Sequence, residues 1–108
     1  MANAYKVLAQ SAPSATTATD VYTVPAATET VISTVIIANR ASAGTFRLSV
    51  RPNGGAQTNA MYCAYDVPVA ANDSTTLTLG LTLDATDVLT LYCSSADMSV
   101  NVFGTEIS

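Results

Sequence analysis

The stretch Phe46-Arg47-Leu48-Ser49-Val50-Arg51 alternates apolar and polar residues without a break. A period of two sends successive side chains to opposite faces of an extended strand, which puts Phe46, Leu48 and Val50 on a core and Arg47, Ser49 and Arg51 in solvent. Met98, Val100 and Val102 alternate with Ser99 and Asn101 in the same way, and Gly104 then marks a bulge or the end of regular pairing. No window of a dozen residues holds a 3.6-residue period, and Thr, Val, Ile and Tyr dominate the apolar segments. Further strands are predicted over residues 20–24, 30–39, 62–69, 75–83 and 88–93, separated by turn residues such as Pro25, Gly44, Asn53, Gly54, Asn72 and Asp84. These signals predict an all-β chain: a single-domain two-sheet β-sandwich of about seven to eight short strands, in jelly-roll or immunoglobulin-like order. Residues 1–13 read as an N-terminal arm or as the first strand, and residues 14–108 as the sandwich.

Residues 30–39 are apolar on both faces, with Val31, Val35 and Ile37 expected on one side and Ile32, Ile36 and Ala38 on the other. Such a strand is covered twice, so one side is expected at an interface with another subunit or partner. Only 11% of residues are charged, against roughly 25% in ordinary soluble domains. A surface with so little charge repulsion suits a protein that lives inside an assembly, and a homo-oligomer (dimer or trimer) is expected. Tyr62 and Tyr65, three apart on one strand, are expected on opposite faces, one of them interfacial. Tyr5, Val7 and Leu8 complete the interface candidates, as the apolar part of an arm that would add a strand to a partner's sheet edge.

The chain has no histidine, which removes the commonest general base and metal ligand. No nucleophile and base pair can be named, so no enzymatic activity and no cofactor are expected. Asp84, Asp87 and Asp97 flank one predicted strand and read as turn residues bonded to backbone amides rather than as a metal site. Asn53-Gly54-Gly55 reads as a hairpin turn. Cys63 and Cys93 match neither a redox nor a zinc spacing and read as two small buried thiols. A net charge of −4 with four scattered basic residues argues against nucleic acid as a partner. No apolar run reaches the roughly 18 residues of a membrane helix, and no secretory signal is visible, so no membrane is involved and synthesis in the cytosol is expected.

Three blocks carry a resemblance. Asp20-Val-Tyr-Thr-Val-Pro-Ala, a Val/Ile/Thr strand ending in Asn39-Arg40, and Thr45-Phe46-Arg47 are followed by Tyr65-Asp-Val-Pro-Val, Asn72-Asp-Ser, Leu-Thr-Leu-Gly-Leu-Thr-Leu and a closing Asn101-Val-Phe-Gly-Thr-Glu-Ile. Over nearly the whole chain this pattern resembles small all-β virion structural proteins of tailed bacteriophages. The resemblance implies a head decoration or cement protein that binds the major capsid protein or other virion proteins, in a particle assembled in the host bacterial cytoplasm. The alternative it implies is a neck or tail appendage that binds a host surface receptor.

Overall fold

The structure, a computed structural model, describes residues 2–108. Nine strands form: β1 (Asn3–Ser11), β2 (Thr19–Thr23), β3 (Glu29–Asn39), β4 (Gly44–Arg51), β5 (Tyr62–Val69), β6 (Ser74–Leu77), β7 (Leu81–Leu83), β8 (Val88–Cys93) and β9 (Met98–Ile107). Two short 3-10 turns, Pro52–Gly54 and Asn59–Met61, lie between β4 and β5. Asn53 and Gly54 take positive φ there, yet they open a ten-residue connection rather than the tight hairpin expected from the sequence. No helix among the described residues is long and apolar enough to cross a membrane.

The antiparallel pairings are nested. β4 pairs β5, β3 pairs β6 and β7, β2 pairs β8, and β1 pairs β9. That is the pattern of one long hairpin whose tip is the β4–β5 connection, and rolling it up brings β3 against β9 and β4 against β8. The result is a five-stranded sheet in the order β1-β9-β3-β6, with β7 also on β3, packed on a four-stranded sheet in the order β2-β8-β4-β5. This is jelly-roll order. An immunoglobulin-like order, which would set the second strand beside the fifth, is excluded.

Inner faces supply the core as the alternation predicts. Phe46 and Leu48 from β4, Leu89 and Leu91 from β8, and Val100 and Val102 from β9 are fully buried. Each such side chain contributes about 1.5–3 kcal/mol on leaving water. Ser49, expected in solvent, is buried because the β4–β5 connection folds over it, and its hydroxyl donates to Gln57 Oε1 at 2.7 Å.

The longest strand departs from strict alternation. Ile32 pairs Gly104 and Thr34 pairs Phe103, so Ser33 is one residue too many, a bulge that inverts the parity of everything after it. Thr30, Ile32, Val35 and Ile37 therefore face the core, while Val31 faces outward with Ile36 and Ala38. The expected grouping of Val31 with Val35 and Ile37 is corrected accordingly. β1 carries its own bulge, at Leu8, opposite the adjacent Val102–Phe103 step. Gly104 is where the backbones come closest: a Cβ there would overlap the Val31 carbonyl oxygen and crowd Ile32 Cα. Residues 75–83, read as one strand, are two. β6 and β7 share β3 as partner, and Gly80, with φ of 62°, interrupts them level with the Ser33 bulge.

The two sheets are also tied by polar groups at one end. The Tyr22 hydroxyl of β2 donates to Glu106 Oε2 of β9 at 2.5 Å and lies 2.9 Å from Thr30 Oγ1 of β3. With the Tyr22 proton committed to Glu106, the Thr30 hydroxyl is the donor of the second bond. Lys6 of β1 closes the group at 2.6 Å from Glu106. Burial, with the Glu106 hydrogen bond next in size, pushes the Tyr22 phenol up to about 12. The hydrogen bonds from Lys6 and then Tyr22 hold the Glu106 carboxyl below its ordinary range. Beyond this group the ends of the chain meet, Ala2 N–H donating to the Ser108 carbonyl at 2.7 Å and Ser108 N–H to Ala2 at 2.9 Å.

Two outcomes follow from these contacts. Gly104→Ala forces the β3 backbone away and should cost about 1–3 kcal/mol, lowering Tm by at least ~5 °C in a thermal melt. Glu106 has a depressed folded pKa, so its contribution is present at neutral pH and lost as pH falls below the ordinary carboxylate value through the folded one. Tyr22 has a raised folded pKa, so its contribution is complete below pH ~10 and lost as pH rises toward about 12. Unfolding free energy measured against pH should fall on both sides, and Tyr22→Phe should flatten the alkaline side.

Candidate functional site

The sandwich presents two outer sheet faces of different chemistry. On the four-stranded sheet, Arg47 of β4 lies opposite Tyr92 of β8 in register, and its Cζ sits 4.8 Å from that ring's centroid. The same guanidinium lies 4.2 Å from the Tyr65 centroid, and its Nε donates to Asp66 Oδ1 at 2.7 Å. Tyr62 and Tyr65 meet edge to face with centroids 4.9 Å apart, a favoured aromatic geometry. Hydrogen bonding to Asp66 raises the Arg47 pKa above its ordinary value, so the group stays charged.

Tyr62 and Tyr65 thus share one face, against the expectation of opposite faces. Tyr62 pairs Ser49 and Ala64 pairs Leu48, which makes Cys63 an extra residue that inverts parity between the two tyrosines. A second shift follows at Asp66, which takes φ of 50° and swings its carboxylate to Arg47. Tyr65 is 55% exposed. Lower on the same sheet the outer surface is polar and self-satisfied. Arg51 binds Asp20 at 2.7 Å and the Gly54 and Gly55 carbonyls at 3.0 and 2.8 Å.

On the five-stranded sheet the inward residues of β9 are Met98, Val100 and Val102, so Phe103 points out. Its row across the sheet contains Val7 of β1 and Thr34 of β3. The next row contains Tyr5, Thr105, Val31 and Thr82, and the row on the other side Gln10, Asn101, Ile36 and Thr76. Tyr5 is 80% and Val7 47% exposed.

The sequence candidates are therefore divided. Val35 and Ile37 are core residues with no exposed surface, a correction of their reading as interface residues, and Leu8 is half-buried against the core at its bulge. Tyr5, Val7 and Val31 belong to the outer face of the five-stranded sheet. Tyr5, Val7 and Leu8 all stand on β1, hydrogen-bonded along β9 in the folded chain. Tyr62 and Tyr65 belong to the other face. Sequence reasoning missed Phe103, although the alternation Val100, Val102 already directed it outward. It also missed Tyr92, whose meeting with Arg47 depends on β4–β8 register.

The acidic turn residues do structural work. Asp87 accepts the Asp84 amide at 2.9 Å and the Asn53 amide at 2.8 Å. Among the described residues no three His, Cys, Asp or Glu side chains are grouped so as to hold a metal ion. Cys93 is buried and free, but Cys63, read as a second buried thiol, is exposed because it is the bulge residue of edge strand β5. It lies in an open groove of about 620 Å³ with Val50, Met61 and Leu81. Burial pushes the Cys93 thiol up to about 11 and the Cys63 thiol upward to a lesser extent.

No protein-family model, no curated protein and no solved structure matches this chain.

A thiol-specific reagent such as Ellman's should titrate one thiol per native chain, Cys63, and two in denaturant. Rapid reaction of both in the native state would contradict the burial of Cys93.

Proposed function

We propose that this chain is a non-enzymatic structural protein of a tailed-bacteriophage particle, a head decoration or cement protein that binds the major capsid protein lattice and uses no cofactor. The observation that carries this reading is the Tyr62–Tyr65–Arg47–Tyr92 cluster on the outer face of a sheet, with Tyr65 exposed and the other three half-buried around it. Tyr and Arg are the residues that most often dominate protein–protein binding energy, because they bury large area at low entropic cost. Sequence resemblance supplies the setting, and the jelly roll, an architecture shared by viral capsid and lectin domains, agrees with it without deciding the role. Repeated weak contacts on a symmetric lattice add by avidity, so no single contact need be strong.

A second reading, a neck or tail appendage that binds a host surface receptor, is favoured by the exposure of Tyr65. Sugar stacking is the less fitting form of it, since the Arg47 guanidinium already lies over the Tyr65 and Tyr92 rings.

The test is electron cryo-microscopy of tailed-phage particles made with and without the gene for this chain. The expected result is density at symmetry-related positions on the head, with occupancy reduced roughly tenfold or more by Tyr65→Ala or Arg47→Ala. Density confined to neck or tail would select the second reading, and particles that never contain the chain would refute both.

A further inference from the structure

The outer face of the five-stranded sheet is uncovered, and its central side chains are apolar or uncharged: Tyr5, Val7, Val31, Ile36 and Phe103 stand among Thr, Asn and Gln, with Ile107 in the end row beside Glu29. The charges of its β1 and β9 strands, Lys6 and Glu106, lie in the other parity and bind each other. What charge the face has is at the two ends of β3. Glu29 stands exposed at one end. At the other, Arg40 follows the strand, its Nε donating to the hydroxyl of Ser99, an outward residue of β9, at 2.9 Å, and its Nη2 to the Ala96 carbonyl at 2.9 Å. Asp73 and Asp97 sit in loops beyond that end, outside the strands of the face, and the Asp73 carboxylate is turned onto the Ser74 amide.

We infer that this face is a self-association surface whose occupant is a second copy of the chain, related by a two-fold axis running across the strands. In a two-fold interface every residue meets the symmetric copy of the same patch, so a charge near the axis meets its own like. The centre of this face has none to meet. Rotation about an axis across the strands lays β3 antiparallel over its copy, which brings Glu29 of each chain to Arg40 of the other, twice. The opposite sheet could not pair so: its outer surface carries Arg47, Asp66, Arg51 and Asp20, already tied in internal ion pairs. Size also fits. Four strands about 4.8 Å apart and roughly nine residues long at ~3.3 Å each give on the order of 600 Å² in projection. That approaches the ~800 Å² per partner of a standard stable interface. Two such faces pack with their strands within about 30° of alignment, as in a sandwich core.

This inference stands apart from the virion reading. A dimer of a chain that never enters a particle would sustain it and sink that reading, and a particle-bound monomer would do the reverse.

The experiment is sedimentation velocity with light scattering on the full chain up to high micromolar concentration, with circular dichroism and Tm as the folding check. The expected mass is twice the 11.1 kDa of one chain. Phe103→Lys, at the centre, should weaken association by roughly tenfold or more because two ammonium groups are forced together. Should that variant not fold, Thr105→Lys in the adjacent row replaces it. Glu29→Arg and Arg40→Glu should each weaken the dimer, and the double exchange should recover it. Tyr65→Lys, on the other sheet, should leave it intact. A monomeric or trimeric wild-type chain, single exchanges without effect, a double exchange that fails to recover, or equal loss with Tyr65→Lys would each overturn the proposal.

Discussion

The close approach of β3 to β9 at Gly104 organises this molecule. A glycine is needed there because the Val31 carbonyl and Ile32 Cα occupy the space a Cβ would take. Both neighbours of β9 carry a one-residue bulge at adjacent steps on either side of Phe103, Ser33 on β3 and Leu8 on β1. Bulges of this kind bend a strand and increase its right-handed twist. A sheet bent at its middle can wrap the four-stranded sheet, so that Ile32 before the bulge and Val35 after it both reach one core. The interruption between β6 and β7 falls at the same height. All of the five-stranded sheet is thus creased along one line, and its inside and outside are defined relative to that line.

That crease explains what the amino-acid order does and does not reveal. Alternation in Phe46–Val50 and Met98–Val102 is strong enough to identify strands, core and fold class, because those segments pair without interruption through their best-patterned part. The two-sheet expectation rests on short strands spaced by frequent turn residues. Jelly-roll rather than immunoglobulin-like order does not, since it depends on which distant strands pair. Parity reading failed wherever one residue was inserted: at Ser33, which sent Val35 and Ile37 to the core, and at Cys63, which put Tyr62 and Tyr65 side by side. A bulge costs a single residue and leaves no compositional mark when that residue is Ser or Cys. Ser49 failed differently, through a connection that folds back over the sheet and gives its hydroxyl a partner in Gln57.

Sparse charge is spent mostly within the molecule. Three of the four basic side chains hold carboxylates, Lys6 with Glu106, Arg47 with Asp66 and Arg51 with Asp20, and Asp87 holds two backbone amides. What remains outward is one aromatic, cation-bearing sheet and one nearly uncharged sheet. With the uncharged faces together, the Tyr–Arg faces of two copies point away from each other, a geometry that presents the same contact twice and multiplies a weak affinity.

The meeting of Ala2 and Ser108 has a mechanical meaning. β1 and β9 are antiparallel, and the two ends of the chain leave the molecule at the same corner, joined by a pair of backbone hydrogen bonds. Tension applied through those ends would open the β1–β9 ladder as a zipper, loading one bonded pair at a time. Load arriving through the sheet faces would instead bear on the packed core between the two sheets, where no ladder is opened one bond at a time. A jelly roll tethered by its ends is soft, and the same jelly roll gripped by its faces is stiff.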